Sequence, residues 1–303
     1  MLKVLLVASL LGLFVIAACG DESGPRTRLV LEPVEGLLVE DMDAELDEAV
    51  RIIERRLDEF GLGDSKVERL GDDGIVVLVK PADAEDAERA LGRTGLLQLC
   101  EPVINKDGDV AIVQNGTVSY EPGTCKPERD EAGEIVLIPV FVDPAIEPRI
   151  EFVPWARQGM PAAASNPRDS DIVWQPATGL IDSEEIALDS THLRPNTFVS
   201  TIGAVIQQPT LFFEFEDDGA DVLEQVTERL SERNYPIAMF IDGEPLLDTN
   251  GLIIAPQVQV TLTGGQGTIT SLAEETAEEL SMLLNGGAFP IPLRIVEISE
   301  VLD

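Results

Sequence analysis

Three cysteines and a single histidine are the side chains of this 303-residue chain best suited to nucleophilic, redox or metal chemistry. Their spacing limits what that chemistry is. Cys19, Cys100 and Cys125 form no CxxC pair and no Cys/His cluster with His192, so a zinc site is not expected. His192 has no serine or cysteine nucleophile motif beside it and reads as a loop residue. A P-loop, a GxSxG elbow and an HExxH helix are all missing. The 56 acidic residues are too many to single out one acid/base pair, and no run has the EF-hand spacing. The expectation is a binding protein rather than an enzyme, with no catalytic residue, no cofactor and no metal. The formal charge of −35 argues against nucleic acid, which needs a basic footprint. With 44% hydrophobic residues the chain is not a disordered acidic tail. The acid reads as a solvated surface.

The first cysteine has another use. A lysine precedes an apolar run from Val4 to Ile16, too short to cross a bilayer comfortably and suited to a signal peptide. The sequence Ile16-Ala17-Ala18-Cys19 resembles a bacterial lipobox. That resemblance implies removal of residues 1–18, diacylglycerol on Cys19, and a lipid anchor holding the protein on the extracytoplasmic face of the cell membrane. The alternatives are an uncleaved anchor helix or a plain secretory signal. Lipidation leaves Cys100 and Cys125, an even number outside the cytosol. A bridge between them closes a loop of about 25 residues and contributes about 3 kcal/mol; two buried free thiols are the other possibility.

The elements that must position these residues follow from periodicity. A linker at 19–27 precedes a strand in "RLVLEPV". Leu46, Val50, Ile53, Leu57 and Phe60 recur at helical spacing, with acidic residues at the start and Gly61 or Gly63 at the stop. A hairpin over Lys66–Leu70 and Ile75–Val79, a helix over Ala82–Leu91 and a strand "GLLQLCEP" follow. "DVAIVQNGTVSY" predicts a hairpin turning at Asn115-Gly116, and "GEIVLIPVFV" a strand. Six prolines between Pro144 and Pro176 interrupt any regular pattern. "DSEEIALD" predicts a short helix. "TLFFEF" predicts a strand, Glu216–Arg233 a helix, "PIAMFIDGEPLL" a strand and an Asp-Gly turn, "QVQVTLTG" a strand, Ser271–Leu284 a helix and "IPLRIVEISEV" a last strand. The order at 28–101 is echoed at 209–303. This suggests an α+β fold with a βαββαβ base built from two separated halves and a loop-rich head inserted at 102–208.

At this point the residues resemble a known family. "IIERRLDEFGLGDSKVERLGDDGIVVLVKP" (52–81), with Arg56, Asp58, Gly61 and Gly71, is similar to the first conserved segment of SecD, the protein-export membrane protein. "TGLLQLCEP" and "ATGLIDSEEI" resemble later passages. "FFEFEDDGADVLEQVTERL" and "PIAMFIDGE", with Asp242 and Gly243, resemble a second segment. "LLNGGAFPIPLRI", with Gly287, Pro290 and Pro292, resembles the most recognisable stretch, usually Gly-Ala-Leu-Pro-x-Pro-Leu. The resemblance implies the large first periplasmic domain, with a ferredoxin-like base and an inserted head, and gives those nine residues structural roles. There are departures. SecD normally opens with a transmembrane helix and a Gly-Leu-Asp-Leu-x-Gly-Gly strand, and it continues after this stretch into the helices of the proton pathway shared with SecF. Pro256 also sits later than the usual spacing after Asp-Gly.

The resemblance implies an accessory of protein export that binds translocating or newly exported, unfolded polypeptides outside the cytoplasmic membrane. It would have no proton coupling of its own, and translocon or SecD/SecF-type membrane subunits would be its partners. The alternative is an envelope-binding or scaffolding lipoprotein that keeps the fold without the export role. Candidate partner-binding residues are Phe152, Trp155, Met160 and Trp174, in and near the proline-rich loop; the competing reading is that they pack the head onto the base.

Overall fold

The computed structural model of the protein describes residues 25–34, 39, 41–71, 74–140, 146–155, 166–203 and 207–302. Cys19 and Met160 lie outside the described residues. β1 (Pro25–Pro33) leads into α1 (Met42–Glu59). Asp41 starts this helix: its carboxylate accepts the Ala44 N–H at 3.1 Å. Leu46, Ala49, Ile53 and Leu57 line its buried face. Next come β2 (Lys66–Leu70), β3 (Gly74–Val79), α2 (Ala84–Leu91) and β4 (Leu97–Pro102), the last buried along its whole length. β5 (Asp109–Gln114), β6 (Gly116–Val118), β7 (Leu137–Pro139) and β8 (Arg149–Pro154) follow. β9 (Trp174–Pro176), β10 (Thr178–Ile181), β11 (Glu184–Ala187), β12 (Phe198–Ile202) and β13 (Gln208–Glu214) precede α3 (Asp217–Ser231). β14 (Ala238–Ile241), β15 (Glu244–Pro245), β16 (Gln266–Thr270), α4 (Glu274–Gly286) and β17 (Leu293–Leu302) complete the order.

The fold is mixed α and β, built around two large cores. In the first, the sheet order is β17-β1-β3-β2 and every neighbour is antiparallel. Leu29, Leu31, Ile75, Val77 and Leu293 pack there against Leu46, Ile53 and Leu57 of α1 and Leu91 of α2. The second core lies among the sheets β15-β14-β4-β9 and β12-β13-β16 together with α3 and one face of α4. Leu99, Leu211, Phe213, Val226, Met239 and Leu280 belong to it. Helix α4 joins the two. Ala277, Leu280 and Leu284 enter the second core, while Gly286 lies against Arg56 of α1. The echo of 28–101 at 209–303 therefore does not make one sheet. Only β17 from the later stretch joins β1 and β3; β14 pairs with β4, and β13 with β12 and β16.

Four local expectations differ from the structure. "DSEEIALD" is not a helix but the turn and second strand of a β10–β11 hairpin, with Asp182 and Ser183 both at positive φ. Asn115 has φ 62°, yet β5 and β6 do not pair with each other. β5 takes β8 and β6 takes β7: β8 offers β5 a six-pair ladder, whereas β6 is only three residues long. "GEIVLIPVFV" shortens to β7 among the described residues. "QVQVTLTG" (257–264) forms a single bridge, Gln257 to Pro236, and no strand, and the strand beside β13 is the next segment, β16.

The expected disulfide is present. Cys100 of β4 and Cys125 are bonded, and both are fully buried.

Candidate functional site

Two of the other motif residues, Asp242 and Gly287, meet Arg56, which is fully buried. Its Nε and Nη2 donate to the Gly287 carbonyl at 3.0 and 2.7 Å. Nη1 donates to the carbonyls of Ala90 (3.1 Å) and Arg93 (2.5 Å), and Nη2 also to that of Thr94. The guanidinium lies over the Phe289 ring, 3.9 Å from its centroid. Burial lowers the Arg56 pKa from its ordinary value to about 9, while the Asp242 carboxylate acts to raise it. Asp242 itself accepts the Gly95 and Leu96 N–H groups at 3.1 and 2.9 Å. Helix α1, the Ala90–Leu96 turn, the β14 end and the stretch after α4 are thus tied through two side chains. This is a structural joint. Every donor of the guanidinium is spent on a backbone carbonyl, so nothing is left for a ligand.

The remaining motif residues shape turns. Gly61, Gly71, Asp242, Gly243 and Gly287 all adopt positive φ. Asp58 is exposed, and its carbonyl accepts the Gly61 N–H at 2.9 Å. Pro290 is exposed, and the Pro292 carbonyl accepts the Val34 N–H at 3.1 Å.

Of the four candidate partner-binding residues, Trp155 and Trp174 are in the core. Trp155 packs on Tyr235 and donates from Nε1 to the Asn234 carbonyl at 3.2 Å. Trp174 packs edge-on to Phe240 and donates to the Asp169 carbonyl. Both indoles are held by a polar anchor and apolar walls, which is the packing role, not a surface role. Phe152 is exposed on β8. His192 sits in a short 3₁₀ turn; its N–H is bonded to the Asp189 carbonyl and its carbonyl to the Glu216 N–H. Among the described residues no group of three or more His, Cys, Asp or Glu is placed to hold a metal ion.

The exposed apolar surface gathers elsewhere. A cleft of about 620 Å³ opens between the β12-β13-β16 sheet and the extended segment after β15. Phe198 of β12 stacks flat on Phe212 of β13, with centroids 4.8 Å apart and planes 6° from parallel. Phe198 is 54% exposed, and Val260, across the cleft, is 63% exposed. Leu223 of α3 and Met239 of β14 form the floor. The segment is held by a few bonds: the Val258 N–H to the Tyr235 carbonyl at 2.9 Å, and the Leu262 N–H to Thr227 Oγ1 at 2.9 Å. A stacked aromatic pair left in solvent beside two exposed aliphatic residues is an unsatisfied apolar surface of the kind that marks binding sites. Sequence reasoning missed these residues. The signal was present in the alternation of "VQVTLT", which was assigned to an ordinary paired strand.

A family model described as "SecDF, P1 head subdomain" matches residues 181–291. A second, "Protein translocase subunit SecDF, P1 domain, N-terminal", matches residues 46–103. Together they cover more than half of the chain. The chain belongs to the SecD family. Its likeness to SecD proteins runs along most of its length. It is 27% identical over 255 residues to the protein translocase subunit SecD of Dehalococcoides mccartyi, covering 83% of this chain and 43% of that protein. It is 24% identical over 276 residues to SecD of Magnetococcus marinus, covering 90% of this chain and 42% of that protein. The chain thus spans under half the length of these SecD relatives. Two solved SecDF structures share the fold at 19% identity. One, a crystal structure of SecDF in a super-membrane-facing form, has a TM-score of 0.54 over 91% of this chain and 30% of its own. The other, from work on a membrane component SecDF that enhances protein export, has a TM-score of 0.51 over 90% of this chain and 99% of its own. The match to the SecDF head begins at β11's hairpin and ends just before β17, so every residue lining the cleft except Leu99 lies inside it.

Proposed function

We propose that this chain is an accessory of protein export, capturing extended, unfolded polypeptide outside the cytoplasmic membrane in the cleft beside Phe198. The observation that carries this reading is the solvent-exposed Phe198–Phe212 stack facing Val260 and Leu262 within the SecD-family head. Covering an apolar side chain is worth about 1.5–3 kcal/mol. Two or three such contacts, less the cost of ordering the client, give weak and reversible capture. That suits a surface that must release what it holds. The net charge of −35 favours basic and neutral segments over acidic ones. Cys19 is the proposed lipid anchor, which would hold the cleft on the extracytoplasmic side. Among the described residues no helix is long and apolar enough to cross a membrane, and we assign energy coupling to a SecD/SecF-type membrane partner.

The test is an in-cell photo-crosslink from position 198, with partners identified by mass spectrometry. Exported precursors or translocon subunits are the expected products. Consistent capture of one folded envelope protein, with no precursor, would instead support a scaffolding lipoprotein that kept the fold and left the export role.

A further inference from the structure

The two walls of the cleft are sheet edges, and among the described residues neither is paired on its outer side. In the β13–β16 ladder the Phe215 N–H bonds the Gly265 carbonyl at 2.8 Å, and the register continues through Phe213↔Gly267 and Leu211↔Ile269. Antiparallel pairing alternates, so these residues turn their main-chain groups toward β13, while Gln266, Thr268 and Thr270 turn theirs away. No hydrogen bond among the described residues uses the main-chain groups of those three on that side.

The opposite wall has the same character. The Met239 N–H bonds the Ile254 carbonyl at 3.3 Å, the Ile237 N–H bonds the Pro256 carbonyl at 3.0 Å, and the Val258 N–H bonds the Tyr235 carbonyl at 2.9 Å. Segment 254–258 is therefore an irregular antiparallel addition to β14. Ala255, Gln257 and Gln259 turn their main-chain groups outward, and no hydrogen bond among the described residues uses them. The two outward edges line the same openings. Pro256 to Val260 share the larger cleft with Gln266, Gly267 and Thr268. Ile253 to Pro256 share an adjoining one, about 230 Å³, with Thr268 to Ser271.

Resting on the capture reading above, we infer that the client enters as a single β-strand between these two edges and bonds both through its main chain. Residues 256–260 share one opening with 266–268 and residues 253–256 the other with 268–271, so the walls run in opposite directions and the inserted strand is parallel to one and antiparallel to the other. Its alternate residues bond alternate walls. Its side chains alternate as well. One set lies on the face that Thr268 shares with Phe212; the other lies on the opposite face, toward Phe213, Leu223 and Met239, because Phe212 and Phe213 point to opposite faces of their sheet. The site therefore selects extended segments that are apolar at successive positions and free of proline, with little regard to exact sequence. Bare edges invite edge-to-edge aggregation unless they are managed; here each is only about five residues long.

The experiment measures binding of a fluorescent peptide of about eight residues, alternating Val, Ile and Thr with a Lys at each end, to the full chain. Two further versions carry N-methyl groups at the odd or at the even positions. The unmodified peptide should bind, and each methylated version should bind at least about tenfold more weakly, because each loses the donors to one wall. Equal affinity for all three would overturn two-edge insertion while leaving capture by apolar side chains intact. Loss in only one methylated version would reduce the site to a single edge and equally overturn it. Failure of every peptide to bind would sink the capture reading itself. Thr268→Pro supplies a second check. It removes only an outward N–H and spares the β13 ladder, as edge strands allow. The melting temperature should hold while binding of the unmodified peptide falls at least about tenfold; unchanged binding in a folded variant would count against the inference.

Discussion

The guanidinium of Arg56 donates two hydrogen bonds to the carbonyl of Gly287, 231 residues further along the chain. That contact joins the helix of one core to the end of the helix shared with the other. It explains both glycines of "NGGAFP". A Cβ on Gly286 would collide with the Arg56 side chain and approach its Cα to 3.1 Å. Gly287, at φ 95° and ψ 158°, occupies a region open essentially to glycine alone.

Removing the hub should therefore be costly. Arg56→Met leaves the carbonyls of Gly287, Ala90, Arg93 and Thr94 buried without these donors. We expect a loss of about 3–5 kcal/mol in urea unfolding. Gly286→Ala, which adds only a methyl, should cost about 1–3 kcal/mol by overpacking. A loss below about 0.5 kcal/mol in both would show that the joint is not a structural requirement.

The two aromatic surfaces should separate cleanly. Phe198→Ser, which removes the exposed half of the stack, should cost about 1–2 kcal/mol, leave the protein folded, and weaken peptide capture. Trp155→Ala should lower stability by about 3–5 kcal/mol, because the indole fills the core against Tyr235. If instead Phe198→Ser unfolds the protein, the ring is part of the packing and the cleft loses its claim.

Cys100 and Cys125 tether the β5–β8 unit to β4 through a separation of 25 residues. The double variant Cys100→Ala, Cys125→Ala should lose about 3 kcal/mol, read from the denaturant midpoint under oxidising conditions. Under strong reductant the wild type should approach the same midpoint. A wild type insensitive to reductant after full unfolding and refolding would contradict a stabilising bridge.

Glu101 provides a pH dependence. Burial raises its pKa above the usual 4.5, against the pull of Arg229, whose Nη2 donates to it at 2.7 Å. A carboxyl raised in the folded state contributes stability that is fully present below its unfolded pKa and lost as pH rises through its folded one. Glu101→Gln cannot titrate. Its stability relative to wild type should therefore improve between pH 4 and pH 7, measured by urea unfolding at each pH. A difference that stays flat, or runs the other way, would mean the Arg229 pair outweighs burial.

How far the sequence reached can be judged element by element. Helix α1 was legible because its caps and its stripe of Leu46, Ile53 and Leu57 lie within one local window. The same holds for β3, α3 and α4. The resemblance to the family was legible because Arg56, Asp242 and Gly287 occur in motifs that can be read in order. The cysteine count also narrowed the choice to a bridge or two thiols.

Tertiary structure decided the rest. Strand partners depend on which distant chain arrives, so the Asn115-Gly116 turn could not keep β5 beside β6, and "DSEEIALD" became a strand once β10 was there to pair with it. Burial is likewise non-local: from sequence Trp155 and Trp174 read either as a contact surface or as packing, and they turn inward because Tyr235 and Phe240 meet them. The cleft needed three distant pieces at once, at Phe198, at Met239 and at Val260. An alternating apolar pattern says that a segment has two faces. It does not say whether a neighbouring strand comes to cover its edge, and at residues 255–259 and 266–270 none among the described residues does.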